Sequence, residues 1–204
     1  MIKMGGYGGA AQVKILSGIT YTDLGLTGDT ALDEYIDDLN AQASEIVDDY
    51  CGRDFGLHGT PEAPVRVRLD GTGRNTIGLP GYPVISVVSV TLDGTPLTEG
   101  KEFDVISTSG ILERIDHGIW RRGNRNITVE YIYGYTTPPN AVKRIVEGMV
   151  SAALRETKRY REVGGVSSIS MDGYSVSYDR IAGNLDLTED WMRILDRYRV
   201  VGAG

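Results

Sequence analysis

Apolar positions along the chain fall into two periods. Leu32, Tyr35, Ile36, Leu39, Ala43, Ile46, Val47 and Tyr50 recur at i, i+3, i+4 and i+7, which makes one buried helical stripe. Thr30 is placed to cap this helix, with Asp33 as an acidic capping-box partner. Gly52 is a natural stop, so a helix is expected over 29–51. Val142, Ile145, Val146, Met149, Val150, Ala153 and Leu154 form a second stripe after the Pro138-Pro139 break. It predicts a helix from Ala141 to about Tyr160, capped by Asn140. A third helix, capped by Thr188 and running to about Arg199, puts Trp191, Ile194, Leu195 and Tyr198 on one face.

Between the first two helices the period falls to two. Val65 to Leu69 alternates apolar with Arg, and Val84 to Leu92 is a β-branched run ending in Asp93-Gly94, a strong hairpin signal. Phe103–Ile106, Ile111–Ile115 and Ile127–Tyr135 supply further strands. In the last, Ile127, Val129, Tyr131 and Tyr133 share one face. Ahead of the first helix, Gly5-Gly6-Tyr7-Gly8-Gly9 reads as a flexible tail, followed by a short strand from Gln12 to Leu16. Near the other end, Ile169 to Tyr178 with its Asp172-Gly173 turn predicts a hairpin. Both this hairpin and the Gly-rich arm are expected to be mobile in a free chain and to order on docking.

The elements predict an α+β fold: a small helical bundle with an inserted antiparallel β module and extended hairpin and arms. In order, these are a Gly-rich arm (1–28), the first bundle helix (29–61), the β module (62–137), the second long helix (138–161), a hairpin or loop (162–187), and a C-terminal helix and tail (188–204).

Composition narrows the chemistry. The 204 residues hold one cysteine, Cys51, and two histidines, His58 and His117, which excludes a disulfide framework and a Cys- or His-rich metal centre. Cys51 ends an apolar stripe and reads as a small buried hydrophobe. No apolar run approaches the roughly 20 residues that span a bilayer, and the Gly-rich start lacks the apolar core of a secretory signal. No G-x-S-x-G, H-E-x-x-H or phosphate-loop pattern occurs. No catalytic residue, cofactor or metal is therefore expected, and both histidines read as surface or turn residues.

The net charge of −7 is unevenly placed. Residues 1–54 carry 3 bases and 10 acids, while 55–204 carry 18 of each. The first helix is thus an acidic surface that is solvated, repels nucleic acid or meets a basic partner. The second helix ends in Arg155, Lys158, Arg159 and Arg161, which suit the negative end of its dipole. Arg114 to Arg125, with Trp120, is the densest basic–aromatic segment. It is either a phosphate contact or a hairpin loop whose arginines pair with carboxylates, of this copy or another.

Several segments in order resemble a known family: Tyr50-Cys-Gly-Arg-Asp-Phe55 closing an amphipathic helix; Leu79-Pro-Gly-Tyr-Pro-Val-Ile-Ser-Val-Val-Ser-Val-Thr-Leu-Asp-Gly-Thr-Pro96; Gly110-Ile-Leu; Trp120; and Val129-Glu-Tyr-Ile-Tyr-Gly-Tyr135 before a proline-started helix. This set resembles the head–tail connector (adaptor) proteins of tailed bacteriophages and prophages, over about residues 20–160. The resemblance implies a non-enzymatic virion protein of the neck, made in the host cytoplasm. It implies a ring, commonly of twelve copies, beneath the portal protein. Such a ring extends the DNA channel, passes genomic DNA without sequence-specific binding and docks a stopper or tail-completion protein; no membrane is involved. By that analogy Trp191, Ile194, Leu195 and Tyr198 are expected to dock on the portal.

A ring needs two different faces in contact. The acids Asp37, Asp38, Glu45, Asp48 and Asp49 are expected to face Lys158, Arg159 and Arg161, or Arg121, Arg122 and Arg125, of the next copy, unless some of them line the channel wall. The alternatives are another neck component, such as a stopper or head-completion protein, or a small cytosolic enzyme without a recognisable motif.

Overall fold

A computed structural model describes residues 6–162, 168–171, 174–177 and 185–200. The chain divides into two compact units, one built from Met1–Asp54 with Pro138–Gly204 and one from Phe55–Thr137.

The first unit is a helical bundle. Helix α1 (Ala10–Ser17) replaces the strand expected at Gln12–Leu16. The alternation there is real, but Val13 alone is fully buried and Gly18, in the left-handed region, closes the helix through its N–H to the Lys14 carbonyl. Helix α2 (Asp29–Cys51) buries Leu32, Ile36, Leu39, Ala43, Val47 and Cys51, and Gly52 ends it as expected. Its start differs from expectation: Gly28 occupies the cap position, with no side-chain cap bond. Asp33 instead pairs with Lys14 of α1 at 2.6 Å, so a tertiary ion pair takes the carboxylate that the capping box would have used.

Helix α3 (Asn140–Glu162) buries every residue of its predicted stripe. The Pro139 carbonyl accepts its first helical bond, from Lys143 N–H at 3.0 Å, so Asn140 is the first helical residue and not the cap. Helix α4 (Glu189–Leu195) is capped by Thr188, whose hydroxyl accepts from Trp191 N–H at 3.4 Å. A 3₁₀ turn at Asp196–Tyr198 follows, and the Val200 N–H closes onto the Cys51 carbonyl at 2.9 Å.

The second unit is all β. Its strands are β1 (Leu57–His58), β2 (Val65–Gly71), β3 (Thr76–Gly78), β4 (Val84–Leu92), β5 (Thr95–Leu97), β6 (Phe103–Ile106), β7 (Ile111–Arg114) and β8 (Gly123–Gly134). The unit begins at Phe55, ahead of the expected boundary at 62, because β1 pairs with the end of β8. Long β8 is the spine: β4 lies on one side of it, β2 and β1 pair with it, and β5 extends β4. A second sheet runs β3-β7-β6. The β4–β5 hairpin turns on Asp93 and Gly94, both at positive φ, as an Asp-Gly type I′ turn requires. The core gathers Trp120, Tyr131, Phe103, Leu112, Ile127 and Val129.

Strands β9 (Ser168–Met171) and β10 (Tyr174–Ser177) pair antiparallel. The Asp172-Gly173 turn, most of the 162–187 segment and the tail beyond Val200 lie outside the described residues.

Candidate functional site

On α2, Asn40, Ser44 and Asp48 follow one another at four-residue spacing, so they stack along one line of the helix. Asn40 and Ser44 are buried. On α3, Glu147 and Ser151 are buried in the same way. Ser44 Oγ donates to the Asn40 carbonyl at 2.6 Å and Ser151 Oγ to the Glu147 carbonyl at 2.7 Å. Buried polar atoms need partners, and the Gly-rich segment supplies several. Tyr7 N–H donates to Ser44 Oγ at 2.9 Å, and Gly9 N–H donates to Glu147 Oε1 at 3.2 Å.

The arm is therefore anchored over Gly6–Gly9, contrary to the mobile tail expected there. The glycines are needed for the approach: a Cβ at Gly6 would overlap the Asn40 carbonyl, and one at Gly8 would overlap Asn40 Oδ1. Burial pushes the Asp48 carboxyl up to about 7, the Tyr7 hydroxyl opposes the shift, and Asp54, Asp49 and Glu45 add to it. Asn40 Oδ1 and Nδ2 have no hydrogen-bond partner among the described residues.

The acidic set expected at a subunit contact divides. Asp37, Asp38, Glu45 and Asp49 are exposed. Asp48 is half-buried beneath Tyr7, which removes it from that set as a surface charge. The basic set divides as well. Lys158 pairs with Asp23 of its own chain at 3.0 Å and lies 3.8 Å from Glu162. The Thr20 backbone N–H, and next Lys158, hold the Asp23 carboxyl down at about 2. Arg155 reaches the Leu16 carbonyl at 3.1 Å. Arg159 and Arg161 stay exposed, as do Arg121, Arg122 and Arg125 in the β unit.

Among the residues expected to dock on a portal, Leu195 is fully buried in its own bundle, so no partner reaches it. Trp191 is half-buried, and a Cβ placed on Gly148 of α3 would lie 3.0 Å from its ring. Tyr198 is half-buried, while Ile194 is exposed.

The basic–aromatic segment also divides. Arg114 is taken by Asp116 and lies 5.6 Å from the centre of the Trp120 ring. Trp120 itself is fully buried, with its indole N–H on the Leu112 carbonyl at 3.3 Å, so it offers no stacking surface. His58 stacks on Tyr133 at 4.6 Å, and His117 is exposed in a turn. Burial pushes the Cys51 thiol up to about 11, the state of an inert core residue. Among the described residues no group of three or more His, Cys, Asp or Glu side chains forms a metal site, and no helix is long and apolar enough to cross a membrane.

The polar seam is what the sequence reading missed. Its signal was present: small and acidic residues at four-residue spacing beside the α2 stripe, with Glu147 and Ser151 set among the apolar residues of α3.

A family model described as head completion protein matches residues 14–201. No curated protein sequence matches the chain. Among solved structures, a chain of the neck of an empty GTA particle, computed with C6 symmetry, is similar with a TM-score of 0.46 and 14% identity over 84% of this chain and 80% of that one. A chain of the neck of a native GTA particle, computed with C12 symmetry, is similar with a TM-score of 0.44 and 12% identity over 95% and 92%.

Proposed function

The chain belongs to the head completion protein family, and from that premise we propose that it works in the virion neck as a head–tail connector whose copies close into a ring beneath the portal. In this reading the ring, of about twelve copies by the family resemblance, extends the DNA channel and presents a surface to the stopper or tail.

The observation that carries the reading is the charge layout of the helical unit. Helix α2 has no basic residue and exposes Asp37, Asp38, Glu45 and Asp49, while α3 exposes Arg159 and Arg161 near its end. A head-to-tail ring contact joins two different patches, and patches of opposite sign are complementary when they meet. Each exposed pair contributes only about 0–1 kcal/mol, so the charges set register and apolar contacts supply most of the association. Exposed Ile15 and Leu16 of α1 and Ile194 of α4 are apolar surface available for such contacts. Trp191, Ile194 and Tyr198 remain the portal-facing set, without Leu195.

The test is the mass of the purified chain, alone and with purified portal, by light scattering. A closed multimer is expected, at least on the portal. Asp37→Lys with Asp38→Lys should weaken it, and adding Arg159→Glu with Arg161→Glu should restore it. A chain that stays monomeric with the portal present contradicts the proposal. The family description also supports a second reading, a stopper or completion protein that joins a pre-formed ring. That protein would bind only after another neck component is in place.

A further inference from the structure

We propose that the tip of the β unit, made by the β2–β3 connection and the segment entering β8, is a contact for the phosphate backbone of duplex DNA. Three stretches of chain are locked together there. Gly71 pairs with Gly123 across β2 and β8. Gly73 N–H donates to the Trp120 carbonyl at 2.7 Å, and Trp120 N–H donates to the Arg74 carbonyl at 2.8 Å. Asn126 accepts from Gly71 N–H at 2.9 Å and donates to the Arg121 carbonyl at 3.1 Å. Arg125 N–H donates to Asp70 at 2.6 Å. The buried Trp120 thus anchors a rigid frame that carries Arg74, Arg121, Arg122 and Arg125.

All four arginines are exposed, and none makes an ion pair among the described residues. Arg114 is the contrast, since Asp116 occupies it. The carboxylates of the neighbouring stretches already accept hydrogen bonds from the frame: Asp70 from Arg125 N–H, Asp93 from Asn126 and Glu113 from Asn75. A concavity of about 620 Å³ is lined here by Thr72, Arg74, Thr76 and Arg122, with Ile77 and Ile111.

The occupant follows from this chemistry. A forked guanidinium matches the oxygens of a phosphate. Ile77 is buried and Ile111 half-buried, so the lining of the concavity itself offers no exposed apolar anchor of the kind a protein partner needs; the exposed Ile119 lies beside the frame and outside that lining. Trp120 is buried, so no aromatic platform is available for unstacked bases. These features favour duplex over single strand and contact without sequence readout. The three nearby acids leave only a small local positive charge, so the contact is weak and sensitive to salt. A monomer carries the whole tip, so the inference stands or falls apart from ring formation.

The test is fluorescence anisotropy of the full chain with a labelled duplex of arbitrary sequence, a second duplex of different sequence and a single strand. Both duplexes should bind equally at about 20 mM salt and release by about 200 mM, and the single strand should bind more weakly. Arg74→Gln with Arg122→Gln should lower affinity at least about tenfold and reduce the slope of log K against log salt by about 2. Arg121→Gln with Arg125→Gln should do the same, which keeps the test decisive if one variant misfolds. Absence of duplex binding at low salt, or unchanged binding in both variants, overturns the proposal. So does a pair of variants that bind duplex normally but lose self-association, because the tip would then meet an acidic helix of another copy.

Discussion

The Tyr7 hydroxyl lies 2.8 Å from each carboxylate oxygen of Asp48 and donates to that group, pinning the Gly-rich segment to the first long helix. The bond joins residues far apart in sequence and covers a seam in which the same segment also gives Ser44 Oγ and Glu147 Oε1 a donor each, as buried polar atoms require.

Asp48 sets a pH dependence with a definite sign. Burial raises its carboxyl from 3.8 to about 7. Between those values the folded chain holds a proton that the unfolded chain releases, so stability falls as pH rises through this window. The melting temperature should be higher near pH 5 than near pH 8. Asp48→Asn should flatten that difference and raise the value at pH 8, since the amide oxygen still accepts from Tyr7. Calorimetry of both proteins across this range checks it. Asp23 and Asp116, held at about 2 by their partners, act at much lower pH with the opposite sign.

Gly6→Ala should release the arm. The new Cβ meets the Asn40 backbone, which cannot yield as a flexible side chain would. A loss of about 1–3 kcal/mol is expected. Hydrogen exchange should show Tyr7 and Gly9 amides losing protection while the interior of α3 keeps its own.

Leu195 and Ile194 should separate stability from docking. Leu195→Ala empties a fully buried site and should cost about 2–5 kcal/mol in denaturant unfolding. Ile194→Asp changes an exposed position and should leave unfolding nearly unchanged. On the proposed reading it should also weaken portal association.

Trp120→Phe should disturb the β unit more than its conservative size suggests. The indole N–H bond to Leu112 is lost, which leaves a buried carbonyl without that donor at about 1–3 kcal/mol. The Arg114 ring contact also weakens. Near-ultraviolet circular dichroism during unfolding gives the measurement.

The bundle helices and the long strands were legible because one periodicity explains each. The Val142-to-Leu154 stripe is buried throughout and the Leu32-to-Val47 stripe is buried apart from half-buried Tyr35 and Ile46, and Asp93-Gly94 turns where its conformational preference requires. What the sequence did not show were choices made by distant partners. Lys14 draws Asp33 from its capping role. Asp23 takes Lys158 from the expected subunit contact. Gln12 to Leu16 alternates like a strand, yet it folds as a helix whose buried residue is Val13. The seam was harder still, because whether Asn40 and Asp48 face water depends on where Gly6 to Gly9 lie.

Cryogenic imaging of the neck in intact particles tests the central claim most directly. The expected density is a closed ring of this chain between portal and tail, with Asp37 and Asp38 of one copy facing Arg159 and Arg161 of the next. Particles that complete their necks without this chain, or a ring in which those acids all face open solvent away from any neighbour, would contradict it.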